Sequence, residues 1–320
     1  MATSLSPDTE IQLTFERQRA WLSPWGASLR RYAVVNADGS ETDLVWGYSS
    51  GANKKGGQGD VLIPFPGRVA EGRYSFDGQT LQLERNDKEG PNAIHGFVRA
   101  LPWAVQQAGP SEVTCEVRLD AATYGPRGYP FSLLIGVSYR LDAQGLTCAF
   151  SVQNVGRSTA PVGVGFHPYF TVGTPQVDLA EAKIPATGYL EFNERLLPTG
   201  RVLDARGTEW DFRQYRAVGS RRFNHCYLGL ERGPDGLATA SLRHPATGVT
   251  IDVVMDQAFS AIVVYTGDAI ADAPRRALAI EPMTCATDAF NHPEWGLTRL
   301  LPGETFTGRY RMTASLGSRK

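Results

Sequence analysis

A period of two in the apolar residues constrains this chain more than anything else in it. Val113, Cys115, Val117 and Leu119 alternate with Thr114, Glu116 and Arg118. Leu146, Cys148, Phe150 and Val152 alternate with Thr147, Ala149, Ser151 and Gln153. Val249, Ile251, Val253 and Met255 repeat the pattern, as do Phe306, Tyr310, Met312 and Ala314. Successive side chains of an extended strand point to opposite faces. Each run therefore sends one row into a core and the other toward solvent or a cleft. Turn signals separate the runs: Asp38-Gly39, Asp77-Gly78, Gly125-Pro126, Asp235-Gly236 and Pro302-Gly303. The 34 glycines and 20 prolines suit many short strands joined by many turns. No long amphipathic helix is visible, although residues 208–216 allow one or two helical turns. Strands that do not alternate with helices disfavour doubly wound and β/α-barrel architectures. The expected fold class is all-β, a large antiparallel sandwich.

No stretch reads as a domain linker, and large all-β folds run long as single units, so residues 1–320 are expected to form one domain. Residues 48–59 (YSSGANKKGGQG) form the most loop-like stretch and are expected to be exposed and mobile. Gly51 and Gly56 imitate the start of a phosphate-binding loop, but Gly57 stands where its lysine belongs. The 32 basic and 33 acidic residues nearly cancel, which disfavours nucleic-acid and membrane-surface partners. Residues 1–15 lack a cationic start followed by an apolar run, so no signal peptide is expected. No apolar stretch approaches the length of a membrane span. Cys115, Cys148, Cys226 and Cys285 are scattered without a CxxC pair, which argues against zinc or redox motifs. Cys115 and Cys148 fall on apolar strand faces as small core residues. The expected setting is the cytoplasm, with free thiols.

The five histidines are unevenly informative. His167 lies in Gly165-Phe166-His167-Pro168-Tyr169-Phe170, at the end of a strand-like run. Pro168 restricts His167 to extended backbone and, lacking an N–H, interrupts regular pairing. Two readings stand for His167: a core imidazole satisfied by a carbonyl, or a functional group at a cleft. Glu281 follows the apolar run Ala277-Leu278-Ala279-Ile280, so it is paired, hydrogen-bonded or functional. His95 precedes Gly96 in Asn92-Ala93-Ile94-His95-Gly96 and reads either as a surface residue or as a site residue on a tight turn. His244 and His292 each precede proline and read as structural or exposed. No GxSxG elbow supports Ser-His-Asp chemistry, and no HExxH pair supports metal ligation by His95, His167 and Glu281. Histidine with a distant carboxylate points to general acid–base work.

Together these segments resemble the aldose 1-epimerase (galactose mutarotase) family over residues 64–304. The resemblance begins at Pro66-Gly67-Arg68-Val69-Ala70-Glu71-Gly72-Arg73-Tyr74 and passes through the His95 and His167 segments. It closes at Tyr265-Thr266-Gly267-Asp268 and Glu281-Pro282-Met283-Thr284. It implies a galactose mutarotase-like β-supersandwich with a sugar cleft. It also implies interconversion of the α and β anomers of a free aldohexose or derivative, with no cofactor and no metal. By resemblance Glu281 is the general base on the C1 hydroxyl and His167 the general acid on the ring oxygen. His95 and Arg68 hold the sugar.

Two departures affect substrate choice. Asn224, in Phe223-Asn224-His225-Cys226-Tyr227, stands where the family commonly has a sugar-binding aspartate, which shifts the expected sugar preference. Gly67 replaces a common asparagine, and Val263 is nearest to a missing glutamine. Trp103, Tyr169, Tyr227 and Trp295 are candidate sugar-stacking walls. The expected partner is a small sugar, with the chain a monomer or homodimer. Two alternatives remain. One is a hexose-6-phosphate 1-epimerase, for which Arg73, Arg99, Arg221 and Arg222 would have to build a phosphate pocket. The other is a carbohydrate-binding or sensing protein without turnover.

Overall fold

The computed structural model describes residues 6 and 8–317. The start of the 1–15 segment, expected to carry no targeting sequence, lies outside the described residues. Among the described residues the strands form a twelve-stranded sheet, a nine-stranded sheet and three two-stranded ribbons. The pairings that build the two large sheets are antiparallel. The alternating runs become long strands of the nine-stranded sheet. Glu112–Leu119, Leu133–Asp142, Gly145–Asn154 and Thr305–Ser315 lie side by side in continuous register. Val113, Cys115, Leu119, Cys148, Phe150 and Met312 face inward and are buried. The main core lies between the two large sheets, because one apolar cluster joins Leu13, Tyr32, Val61 and Ile280 of one sheet to Ile135, Val253 and Met312 of the other. All four cysteines are buried free thiols. Among the described residues no helix is long and apolar enough to cross a membrane.

Six strands of the larger sheet position the site: β1 (Val61–Leu62), β2 (Gly165–Phe166), β3 (Tyr169–Phe170), β4 (Asn224–Leu230), β5 (Ala261–Tyr265) and β6 (Leu278–Met283). β6 is buried along its whole length, so both of its faces are covered. Its alternation separates two environments. Leu278 and Ile280, with Ile262 and Val264 of β5 and Tyr227 of β4, join the main core. Ala279 and Met283, with Val263 of β5 and Cys226 of β4, pack into two smaller clusters on the opposite face. Glu281 lies on that second face, between the two clusters.

Two local expectations are corrected. Residues 208–216 form turns that end in a short strand, Arg216–Ala217, not a helix. Polar side chains there satisfy nearby amides: Thr208 Oγ1 accepts from Trp210 N–H, and the Asp211 carboxylate from Gly207 and Arg213 N–H. Such bonds offer the backbone an alternative to the helical ladder. Residues 48–59 are exposed only in part: Ser49, Ala52, Asn53 and Gly56 lie at the surface, while the end of the segment turns inward. Gln58 and Gly59 are buried, the Tyr48 carbonyl accepts from Arg30, and the Gln58 amide donates to the Gly47 carbonyl. The end of the loop is packed inward, where Gly57 meets the His167 ring.

Candidate active site

Strand register sets the centre of the site. Gly165 pairs with Met283 and Tyr169 with Ala279, in one continuous register of β2 and β3 on β6. That register sets His167 opposite Glu281, and neighbours across antiparallel strands lie within side-chain reach. His167 Nε2 is 3.3 Å from Glu281 Oε1. Pro168 splits β2 from β3 at this point, as its missing N–H requires. The His167 backbone is held from the other side instead. Its N–H donates to the Asp60 carbonyl at 3.0 Å, and its carbonyl accepts from Gly59 N–H at 2.9 Å.

Both groups are buried: His167 is 5% exposed and Glu281 2%. Burial pushes the Glu281 carboxyl well above its ordinary value, with Arg68 pulling in the opposite direction. Burial likewise pushes the His167 imidazole below its usual range. A contact with its own backbone opposes this, while Arg99 and Lys54 reinforce it. Glu281 Oε2 and His167 Nδ1 face no hydrogen-bond partner from another residue. Burial thus biases each member of the pair toward its neutral form.

His95 meets His167 edge to face, with ring centroids 5.5 Å apart. It occupies left-handed backbone, φ 63°, and exchanges bonds with Gly67. Its N–H donates to the Gly67 carbonyl at 2.9 Å, and its Nδ1 accepts from Gly67 N–H at 3.2 Å. An Nδ1 that accepts leaves the ring proton on Nε2, so neutral His95 is a fixed donor. Burial, then His167, Arg99 and Arg68, hold its pKa well below the ordinary range. Gly67 has no room for a side chain: a Cβ there would come within 2.6 Å of Thr287 Oγ1. A larger residue at 67, such as asparagine, is therefore excluded in this packing.

The Arg68 guanidinium is anchored, with Nε on Asp87 at 2.8 Å and Nη2 on Glu89 at 2.6 Å. Burial works against the Asp87 carboxylate, but hydrogen bonds from Arg68 and Asn92 hold it below its ordinary value. A row across the sheet continues from His167 and Glu281 to Val263 and Cys226. The next row holds Tyr169, Ala279, Tyr265 and Asn224. Asn224 is thus half-buried on the same face, two strands from Glu281.

Of the four aromatic candidates, Tyr169 stands beside the pair. Its ring stacks on His167 at 5.0 Å, and its hydroxyl donates to the Gly56 carbonyl. Trp103 and Tyr227 are core residues, with Trp103 Nε1 donating to the Val98 carbonyl and the Tyr227 hydroxyl to the Trp210 carbonyl. Trp295 stacks on His292 at 4.0 Å and packs against the small cluster of Val263 and Met283 on the Glu281 face. The four arginines considered for a phosphate pocket do not converge. Arg99 lies near the imidazoles, Arg73 is exposed on its strand, Arg221 covers Phe212, and Arg222 points into solvent with Asp268 3.7 Å away. Among the described residues no group of three or more His, Cys, Asp or Glu is arranged to hold a metal ion. Sequence reasoning overlooked Lys54, Gly57 and Asp60, which back His167. The available signal was an acid, Asp60, directly before the apolar run Val61-Leu62-Ile63.

Comparison with known proteins places this chain among relatives. The family described as aldose 1-epimerase matches residues 9–313. An uncharacterized Escherichia coli K12 protein, YihR, is 32% identical over 73% of this chain and 71% of its own length. The galactose mutarotase of Sus scrofa is 28% identical over 81% of this chain and 77% of its own. Among solved structures, a GalM/aldose epimerase homologue from C. elegans superposes with a TM-score of 0.86 at 19% identity, covering 97% of this chain and 99% of that one. A galactose mutarotase-like protein from Clostridium acetobutylicum gives 0.82 at 18% identity, covering 96% and 95%.

Proposed function

Because the chain belongs to the aldose 1-epimerase family, a family of isomerases, we propose that it interconverts the α and β anomers of a free aldohexose or a close derivative. The observation that carries this reading is the facing pair, His167 Nε2 and Glu281 Oε1 at 3.3 Å, buried on the strand face opposite the core. With the shared proton on Nε2, Glu281 takes the proton from the sugar's C1 hydroxyl. The freed electron pair forms the C1 carbonyl, the bond from C1 to the ring oxygen breaks, and that oxygen takes the proton from Nε2. The aldehyde turns about C1–C2, and the same two groups reverse the transfers to close either anomer. Acid and base exchange roles in each direction; the raised carboxyl makes Glu281 a stronger base, and the lowered imidazole makes His167 a readier proton donor once it is protonated.

His95 then serves as an Nε2–H donor near the ring oxygen, and Arg68, held by Asp87 and Glu89, offers its remaining N–H groups to sugar hydroxyls. His95→Asn is expected to raise KM and lower kcat together, since positioning and chemistry meet at that residue. Initial-rate kinetics check this, and a change in KM alone would assign His95 to binding only. Asn224→Asp is expected to reorder sugar preference, because a carboxylate accepts charge-assisted bonds that an amide cannot. Competition among glucose, galactose and their epimers tests it, and an unchanged ranking would remove Asn224 from specificity. The whole chain is read as one domain, supported by the single core cluster that spans both large sheets. The four free thiols support a reducing, cytoplasmic setting.

The deciding assay is polarimetry on freshly dissolved α-glucose and α-galactose. Faster decay to equilibrium rotation, lost in Glu281→Gln, is the expected result. Sugar binding without acceleration would replace this reading with a binding or sensing protein.

A further inference from the structure

Asp60 sits immediately before β1 and is 3% exposed. Its carbonyl accepts the His167 N–H, and the preceding residue, Gly59, donates to the His167 carbonyl. Its carboxylate gathers two cations from separate segments. Lys54 Nζ pairs with Oδ1, and Arg99 Nη1, on the turn Val98–Ala100, lies 3.4 Å from Oδ2. Gly57 fills the space between ring and carboxylate. A Cβ there would lie 3.1 Å from His167 Cδ2 and 3.5 Å from Asp60 Oδ2.

We propose that Lys54, Asp60 and Arg99 form a charge-setting cluster for His167, in which Asp60 clamps the histidine backbone and neutralises one of the two cations that act on its ring. Asp60 touches no reacting atom and is a positioning residue. The groups around the imidazole are Glu281 on β6, Tyr169 stacked on β3, His95 edge-on after the short strand Ala93–Ile94, Arg99, Lys54 and Asp60 itself. Two cations against one carboxylate leave one net positive charge beside the ring. Like charge disfavours the imidazolium, so the cluster decides how readily His167 takes the proton it shares with Glu281. The sign of the effect is fixed by which charge is removed. Loss of the Asp60 charge leaves two uncompensated cations, and the ring must lose its proton at lower pH. Loss of Lys54 or Arg99 must move the ring the other way. A cluster that served only to hold the loop would move all variants in one direction, or none.

The catalytic meaning of the cluster rests on reading His167 as the acid, but its effect on the ring does not. The test is therefore made on ligand-free protein labelled with ring-15N histidine. The His167 signals, identified by their loss in His167→Asn, are followed through a pH titration by two-dimensional NMR. Asp60→Asn is expected to shift the transition down by about one pH unit, and Lys54→Met and Arg99→Met to shift it up by a similar amount. Unmoved transitions, or shifts of one sign in all three, would overturn the proposal. Where Asp60→Asn does not fold, or its transition falls below the pH at which the protein unfolds, the upward shifts in Lys54→Met and Arg99→Met remain decisive. Opposed shifts in a protein that accelerates no sugar would sink the epimerase reading and leave the cluster standing.

Discussion

Glu281→Gln is expected to lower kcat for anomer interconversion by at least about 10²-fold, the scale for losing a positioned base, while raising the unfolding temperature at neutral pH. The amide keeps the size of the carboxylate but cannot accept the C1 proton. The gain in stability follows from linkage. Burial holds the Glu281 pKa in the folded protein above its unfolded value, so the unfolded chain ionises first as pH rises. The fold is therefore penalised increasingly from the ordinary carboxyl range up to the folded pKa, and glutamine removes that penalty. Polarimetric turnover and calorimetry at pH 7 read the two effects on the same sample. Near-native turnover would end the assignment of Glu281 as the base, and a lowered unfolding temperature would mean that the carboxylate makes stabilising contacts that the amide loses.

His167→Asn is expected to lower kcat by a similar factor, at least about 10²-fold, the scale for losing a positioned acid. Its effect on stability differs in sign and in pH window. The folded pKa lies below the unfolded value near 6.5, so the unfolded chain binds the proton first as pH falls. Stability contributed by the neutral ring is present above that value and is lost as pH falls through the window beneath it. His95 is shifted the same way, and burial brings His225 down to about 4. The native protein should therefore weaken on acidification below about pH 6.5, and His167→Asn should flatten that slope in denaturant titrations. Near-native turnover in the variant would end the assignment of His167 as the acid.

The strands were legible because their signal is local. Cys115 and Cys148 alternate with polar neighbours, and no distant contact is needed to see which face they occupy. The site residues were legible one at a time: Glu281 as an acid in an apolar run, His167 as a histidine before a proline. What joins them is the register of β2 and β3 on β6, a pairing across more than 100 residues that no short window contains. The segment 48–59, exposed at Ser49, Ala52, Asn53 and Gly56 but buried at its end, was misjudged in part for a related reason. Glycines, serines and lysines there have the composition of a solvated loop, but glycine also lets backbone approach a buried ring. Only the fold decides which use applies. At Gly57 it is the second, with φ +75° and the His167 ring where a side chain would begin. Trp103 and Tyr227 illustrate the converse, since an aromatic residue looks the same in sequence whether it faces a core or a cleft.

The two-faced strands β4, β5 and β6 carry a consequence for how such a protein changes over generations. Tyr227, Ile262, Val264 and Ile280 keep the sheets together, whereas Asn224, Val263 and Tyr265 point the other way and share no core contacts with them. Variation on the second set disturbs only the small clusters on that face and leaves the main core between the sheets in place. On the proposed reading of that face as the sugar cleft, preference can drift within an unchanging scaffold, and selection for a new substrate can begin from a protein that already folds.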